Sequence, residues 1–186
     1  MRLFIAIDLD SPARAAVVDL QRRLRRSLAP ASLKWVRPEQ LHVTLVFIGE
    51  IDDLRMPAIA EATGADIQLP PFRLGFGNPG VFPPAGAPHV LWVGVAEGAH
   101  AVVDLQRRMA QRIEGVGVAS SERVFQPHLT LARWPNGRPS DRQRVAAGGA
   151  AAIPSVLVEA VTLYQSRLSS SGAVHLALAT AQLRSA

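Results

Sequence analysis

The strongest constraint on the fold of this chain is an internal repeat. The heptad VVDLQRR stands at residues 17–23 and returns letter for letter at residues 102–108, which is 85 positions later (102 − 17). A second pair of motifs, HVTL from His42 and HLTL from His128, is separated by 86 positions (128 − 42). Two matches that keep one offset to within one residue indicate a duplicated structural unit. We therefore expect the chain to fold as two copies of one arrangement.

Each copy has the pattern of a strand, a helix and a second strand. In the first copy residues 3–9 are apolar, as in a buried strand, and Ser11 followed by Pro12 is typical of the start of a helix. Apolar residues then recur at helical spacing, with arginines between them: Val17, Leu20, Leu24 and Leu28. In the second copy residues 90–95 predict a strand, and a helix with the same spacing follows: Val102, Leu105, Met109 and Ile113.

The repeat units lie at about residues 3–49 and 90–134, within one domain of 186 residues. The segment between them, residues 69–88, is rich in Pro and Gly and predicts mostly loop, with at most one short strand. The C-terminal region adds two expected strands, over residues 155–164 and 173–179. Strands and helices in this mixture predict an α+β fold with two pseudo-symmetric lobes.

Strand alternation places the polar residues of each HxT motif on one face. The apolar residues of the first motif share the opposite face, which we expect in the core: Leu41, Val43, Leu45 and Phe47. His42 and Thr44 therefore point away from the core, as do His128 and Thr130 in the second motif. If the copies pack about a pseudo-two-fold axis, the two histidines meet across a cleft, each with a threonine beside it.

Two opposed imidazoles suit the cleavage of a phosphodiester. Histidine gives or takes a proton near neutral pH, so one ring can deprotonate the nucleophile while the other protonates the leaving oxygen. The threonine hydroxyls can donate hydrogen bonds to the non-bridging phosphate oxygens. The near symmetry of the motifs leaves open which histidine is the acid. Neither motif has the spacing of a metal site, so we expect no metal and no cofactor. The other histidines are interpreted as surface or structural residues: His89, His100 and His175.

The composition narrows the class of protein. There is no cysteine, which excludes disulfides, zinc thiolates and thiol nucleophiles and suits a reducing cytoplasm. The formal net charge of +5 favours a polyanionic partner, with nucleic acid ahead of a membrane. The apolar start of the chain is short and meets Asp8 and Asp10, so it predicts a strand and not a signal peptide. No segment has the apolar length of a membrane span.

The motifs together resemble the 2H phosphoesterase superfamily, and within it the bacterial RNA 2′,3′-cyclic phosphodiesterases, once called 2′-5′ RNA ligases. The resemblance covers nearly the whole chain. The stretches that carry it are MRLFIAIDL, LKWVRPEQLHVTLVFIGEI, GNPGVFPPAGAPHVLWVGV, FQPHLTLAR and VTLYQSRLSSSGAVHLAL. It implies a bilobal α+β fold with antiparallel sheets that face a central cleft.

The resemblance also implies a reaction and roles for single residues. The reaction is hydrolysis of a 2′,3′-cyclic phosphate at an RNA end to a 2′-phosphate, with a reversible 2′-5′ RNA ligase activity beside it. His42 corresponds to the proton donor and His128 to the proton acceptor. Phosphate-binding residues correspond to Thr44, Thr130 and Arg133, and Arg167 resembles a recurring family position that we assign to substrate binding. Phe125, three residues before His128, is our candidate for stacking on a base.

Two alternatives from other classes stay open. The chain could be a non-catalytic RNA-binding module that uses the basic helices. It could also be a phosphodiesterase that acts on small cyclic or 2′-5′-linked nucleotides. No base-reading signal identifies a physiological RNA. Because a duplicated fold completes its own cleft, we expect a monomer.

Overall fold

The computed structural model describes residues 1–28, 33–119, 124–147, 152–169 and 172–185. The strands are β1 Arg2–Asp8, β2 Lys34–Trp35, β3 His42–Glu50, β4 Ile67–Gln68, β5 Phe72–Phe82, β6 Val90–Glu97, β7 His128–Arg133, β8 Val156–Val158, β9 Ala160–Ser169 and β10 Gly172–Arg184. The helices are α1 Ser11–Ser27, α2 Met56–Gly64, α3 Ala99–Gly115 and α4 Pro139–Ala147. This mixture confirms the α+β class.

The duplicated units appear as β1–α1–β3 and β6–α3–β7. In each unit the two strands are antiparallel neighbours. The cap of the first helix lies one residue earlier than the sequence indicates, because the side chain of Asp10 accepts a hydrogen bond from the backbone N–H of Ala13. The helix ends at Ser27, and the proline expected to stop it, Pro30, lies outside the described residues.

The strands form one twisted sheet in the order β4-β10-β9-β1-β3-β7-β6-β5-β8, with β2 paired to β7. The halves of this sheet meet where β3 pairs with β7, through Val43 and Leu129. The expected antiparallel sheets of the two units are thus joined edge to edge at their motif strands. Because both motifs lie on these central strands, their polar residues come to the middle of one sheet face.

The helices bind the two units to each other across the apolar face of the sheet. Helix α3, from the second unit, packs against β3 of the first. In the opposite direction, the side-chain amide of Gln21 on α1 donates to the carbonyl of Leu131 on β7, at 3.0 Å. Each unit therefore depends on an element of the other to cover its central strand. In the described part of the chain, no helix is both long enough and apolar enough to cross a membrane.

Two expectations from the sequence fail outside the repeats. The segment 69–88 contains the eleven-residue strand β5, although we expected mostly loop. Gly80 is needed there, since a Cβ on it would lie 2.4 Å from the indole ring of Trp92. The strand expected over 155–164 is instead β8 and the start of β9, which pair with β5 and with β1.

Candidate active site

The two HxT motifs lie side by side on the face of the sheet opposite the helices. An antiparallel ladder in the register of Val43 and Leu129 places Thr130 opposite His42, and His128 opposite Thr44. The two histidines are then diagonal neighbours, and sheet geometry places the Cα atoms of diagonal neighbours about 7–8 Å apart. The structure therefore brings two imidazoles and two hydroxyls from distant parts of the chain onto one small patch.

A β-bulge follows each motif and changes which residues reach this face. Ile5 and Ala6 of β1 pair with Val46 and Thr44 of β3, so Leu45, which lies between these two, has no partner on β1. Alternation is shifted by one residue after the bulge. Phe47 consequently turns to the polar face and is 52% exposed. The expectation that Phe47 lies in the core is wrong for this reason.

The same bulge recurs in the second motif. Leu91 and Trp92 pair with Ala132 and Thr130, which leaves Leu131 without a partner. The shift brings Arg133 to the face that carries His128 and Thr130. Strict alternation from His128 would have placed this arginine on the opposite face. The repeat thus duplicates both the motif and the irregularity that orients the next polar side chain.

The polar face contains a cleft of about 260 Å³. It is lined by Arg2, Phe4, Val36, Gln40, His42, Thr44, Phe47, Thr130, Arg133, Ser166, Ala173 and His175. Four residues predicted for the site, His42, Thr44, Thr130 and Arg133, are therefore together. His128 is not among the residues that line this cleft; its ring centroid lies 5.1 Å from that of Phe82 and 6.3 Å from that of Trp92.

The backbone two residues earlier influences each imidazole. Nδ1 of His128 lies 2.7 Å from the carbonyl oxygen of Gln126, and an interaction with the backbone of Gln40 raises the pKa of His42. A carbonyl only accepts, so Nδ1 of His128 carries the hydrogen and its Nε2 keeps a lone pair in the neutral ring. Nε2 of His42 lies 3.1 Å from Oγ1 of Thr44. The glutamine that stands two residues before each histidine is a sequence signal of this shared arrangement, and we missed it.

Burial keeps both imidazoles neutral in the free protein. It lowers the pKa of His42 from 6.5 to about 4, with a further decrease from His175 and an opposing increase from Asp8. The pKa of His128 is also lowered, by burial first and then by the positive charge of Arg133. Near pH 7 each ring is therefore neutral, and that of His128 offers an unprotonated Nε2. An anion bound between them would oppose both decreases, because it stabilises the imidazolium form.

A third histidine joins the site from the C-terminal hairpin. The rings of His175 and His42 are 5.4 Å apart in an edge contact, and His175 lines the cleft. From the sequence, His175 is interpreted as a surface or structural residue and is not placed at this cleft. The start of β10 is tied to the segment before β3 by Arg37 and Gln40, whose side chains both donate to the carbonyl of Ala173. The contact between His175 and His42 depends on tertiary structure, and no sequence motif around His175 predicts it.

The surroundings of the two motif histidines differ in charge. Asp8 on β1 is the strand partner of His42, whereas the partner of His128 on β6 is Gly94. The carboxylate of Asp8 accepts hydrogen bonds from the hydroxyls of Thr162, at 2.9 Å, and Tyr164, at 2.8 Å. A fixed negative charge therefore stands beside the first histidine and has no counterpart at the same place beside the second.

Two predicted substrate-binding residues do not reach the cleft. Arg167 is exposed and its Nε donates to Oε1 of Gln165, at 2.9 Å. Ser166, the neighbour of Arg167 on β9, lines the cleft, so alternation directs Arg167 to the other face. Phe125 is half-buried and packs against the hydrophobic core. Among the described residues, no group of three His, Asp or Glu side chains is placed to hold a metal ion.

Comparisons with known proteins agree with this geometry. Residues 9–169 match the model of the 2′-5′ RNA ligase superfamily. The chain is 29% identical over 175 residues to a protein of Archaeoglobus fulgidus named RNA 2′,3′-cyclic phosphodiesterase, with 94% of this chain and 96% of the relative covered. It is 32% identical over 178 residues to a protein of Methanothermobacter thermautotrophicus with the same name, with 94% and 95% covered.

The fold is also shared with solved structures. A crystal structure of a Thermus thermophilus protein superimposes with a TM-score of 0.77 at 30% identity. The match covers 100% of this chain and 99% of that one. The similarity therefore extends over both repeat units and the C-terminal strands.

Proposed function

Because the chain belongs to the 2′-5′ RNA ligase superfamily, we propose that it hydrolyses the 2′,3′-cyclic phosphate at an RNA end to a 2′-phosphomonoester. One observation supports this most: the two HxT motifs occupy adjacent strands on one sheet face, with Arg133 beside them in the cleft. The names of the relatives from Archaeoglobus fulgidus and Methanothermobacter thermautotrophicus support the same reaction. We further propose that the two units act as one catalytic domain.

In the proposed mechanism the two histidines act on one phosphorus. Nε2 of His128 takes a proton from water, and the water oxygen forms a bond to phosphorus. The bond from phosphorus to the 3′-oxygen breaks, and His42 gives its Nε2 proton to that oxygen. The bond to the 2′-oxygen stays intact, so the product is a 2′-phosphate with a free 3′-hydroxyl. With the 5′-hydroxyl of a second RNA in place of water, the same step would form a 2′-5′ phosphodiester and release the 3′-hydroxyl, which is 2′-5′ ligation; the reverse of that step would regenerate the cyclic phosphate.

The remaining polar residues of the patch would stabilise the charge on the phosphate. The hydroxyls of Thr44 and Thr130 would donate to the non-bridging oxygens, where negative charge develops in the transition state. The guanidinium of Arg133 can pair with the same oxygens. A low-dielectric cleft strengthens these interactions relative to water.

The assignment of His42 as the proton donor requires that it gain a proton in the substrate complex. With a pKa of about 4, the free imidazole is largely neutral at pH 7. A bound phosphate anion and the carboxylate of Asp8 both favour the imidazolium form. The carboxylate stands beside His42 and not beside His128, which supports His42 as the acid and His128 as the base.

A turnover assay tests the proposal. The substrate is a short RNA that ends in a 2′,3′-cyclic phosphate, and the buffer contains EDTA. We expect hydrolysis by the wild-type protein, and a decrease in kcat/KM of about 10²–10⁴-fold for His42→Ala and for His128→Ala. The matched control is His100→Ala, because His100 is an exposed histidine on α3. Wild-type rates in either motif variant would contradict the mechanism.

The same assay separates the two alternatives. Salt-sensitive RNA binding without hydrolysis would favour a non-catalytic binding module. Hydrolysis of cyclic mononucleotides but not of the RNA would favour a small-nucleotide phosphodiesterase. A cytoplasmic location and a monomeric state are also part of this proposal, and gel filtration of the purified protein would test the latter.

A further inference from the structure

A second groove lies beside the cleft, between helix α1 and the segment that contains β2. Its volume is about 260 Å³. The groove and the cleft adjoin at Val36, which lines both. Arg37 also links them, because it lines the groove and its side chain donates to the carbonyl of Ala173 in the cleft wall. A chain that leaves the cleft on this side therefore meets the groove next.

The groove is strongly basic. Three arginines line it, Arg22, Arg25 and Arg37, and no carboxylate is found among the described residues of its lining. Arg22 is paired with Asp19 at 2.8 Å, and Arg37 with Glu39 at 3.1 Å. Arg25 makes neither an ion pair nor a hydrogen bond within the described residues. An unneutralised positive charge in such a lining favours an anionic ligand.

Trp35 holds the guanidinium of Arg25 in place. The guanidinium carbon lies 4.9 Å from the centroid of the ring, which is a cation–π distance. This contact occupies a face of the guanidinium, whereas its N–H donors lie in its plane. The donors of Arg25 are therefore left for a ligand, and a guanidinium edge matches the oxygens of a phosphate.

Strand β2 connects the positive charge of the groove with that of the cleft. Lys34 is exposed and is the strand partner of Arg133, so their side chains share the cleft face of the sheet. Trp35, the next residue, points to the opposite face, where it meets Arg25 of α1. Positive side chains thus lie on both sides of β2, from Arg133 in the cleft to Arg25 in the groove.

We propose that the groove between α1 and β2 binds the RNA chain upstream of the cyclic phosphate end, with Arg25 paired to a backbone phosphate. This rests on the proposed function, since it takes the RNA end to lie between the HxT motifs. Proteins that bind single-stranded nucleic acid combine a positively charged groove with aromatic side chains. Contacts to backbone phosphates carry no sequence information. The protein would therefore prefer an RNA end of any sequence to a cyclic mononucleotide.

Equilibrium binding of two ligands tests the inference. The ligands are a nucleoside 2′-monophosphate, which occupies only the cleft, and an RNA of about five nucleotides that ends in a 2′-phosphate. For Arg25→Gln we expect the Kd of the RNA to rise roughly 10-fold and that of the mononucleotide to stay within about twofold. The slope of log Kd against log salt concentration for the RNA should become shallower by about 0.7, since one phosphate contact is lost. Arg25→Lys should keep the wild-type slope, because it retains the charge.

The matched control is Arg26→Gln. Arg26 follows Arg25 in the last turn of α1 and is also exposed, but it lines a different depression of the surface, together with Arg23. Both substitutions remove one positive charge from the same helix end, so any effect of net charge or of the helix dipole is shared. Arg26→Gln should change the Kd of the RNA by less than about threefold, because a charge without a phosphate contact is screened by salt.

The outcomes separate this inference from the proposed reaction. If the wild-type protein hydrolyses the cyclic phosphate and Arg25→Gln binds the RNA as Arg26→Gln does, the groove is overturned while the reaction stands. If no hydrolysis occurs but Arg25→Gln selectively weakens RNA binding, the reaction fails and the groove stands. Equal weakening of the RNA and the mononucleotide would overturn the inference, because Arg25 would then act on the cleft. An acidic peptide of similar charge that displaces the RNA as well as a second RNA does would also overturn it.

Discussion

Replacement of Gln21 tests how the two units hold the bulge that presents Arg133. Gln21 is a repeated residue of the VVDLQRR heptad and is 4% exposed. Its side-chain amide donates to the carbonyls of Val36, at 2.9 Å, and of Leu131, at 3.0 Å. Leu131 is the residue that the bulge leaves without a strand partner on β6. Gln21 therefore fixes the backbone shortly before Arg133 from the far side of the sheet.

The expected cost of Gln21→Leu follows from these contacts. The Val36 carbonyl would lose the side-chain donor that satisfies it, at about 1–3 kcal/mol for an unsatisfied buried group. The Leu131 carbonyl would keep the backbone N–H of Val36, at 2.9 Å, and lose about 1 kcal/mol. The sum is about 2–4 kcal/mol, or a decrease in Tm of roughly 5–15 °C for a chain of this length. Calorimetry of the purified variant measures this directly.

The repeat provides the control for this prediction. Gln106 occupies the same place in the second heptad, is half-buried and makes no such pair of hydrogen bonds within the described part of the chain. Gln106→Leu should therefore change Tm by a few degrees at most. In addition, Gln21→Leu should raise the KM for a cyclic phosphate, because Arg133 would lose its fixed position. An equal decrease in Tm for both variants would refute the reasoning.

Three further perturbations have defined outcomes. The free energy of unfolding should fall by up to about 3 kcal/mol between pH 6.5 and pH 4. The reason is that His42 takes up a proton in this range in the unfolded chain but not in the folded protein, where its pKa is about 4. Urea titrations should show this dependence on pH, and His42→Asn should reduce it. Asp8→Asn should lower the pKa of His42 further, because it removes the charge that favours the imidazolium, and an unchanged pKa in an NMR titration of the ring would show that Asp8 has no such role. Gly80→Val should destabilise the fold, because its Cβ would lie 2.4 Å from the Trp92 ring, and an unchanged Tm would show that the ring can move aside.

The sequence predicts the central strands and their polar face well, because both depend on local periodicity. The repeat locates the two units, and alternation correctly places His42 with Thr44, and His128 with Thr130, away from the core. Alternation does not predict the exposure of Phe47. A bulge is defined by the partner strand, and β1 lies more than thirty residues away from β3 in the chain.

The rest of the site depends on contacts between distant segments. His175 is brought to His42 by the pairing of β10 with β9 and of β9 with β1, and Arg37 and Gln40 tie the start of β10 to the segment before β3. The sequence predicts a loop where β5 lies, because glycines are typical of loops. In the fold, Gly80 leaves space for the ring of Trp92. Arg167 resembles a family position, yet alternation along β9 turns it from the cleft. These placements follow from packing, which the local sequence does not encode.

The most direct test of the two-histidine account is a crystal structure with a nucleoside 2′-monophosphate. The account predicts one phosphate with Nε2 of His42 and Nε2 of His128 both within hydrogen-bond distance of its oxygens, at about 3 Å. A phosphate that contacts only one of these imidazoles, or that binds elsewhere on the protein, would contradict it.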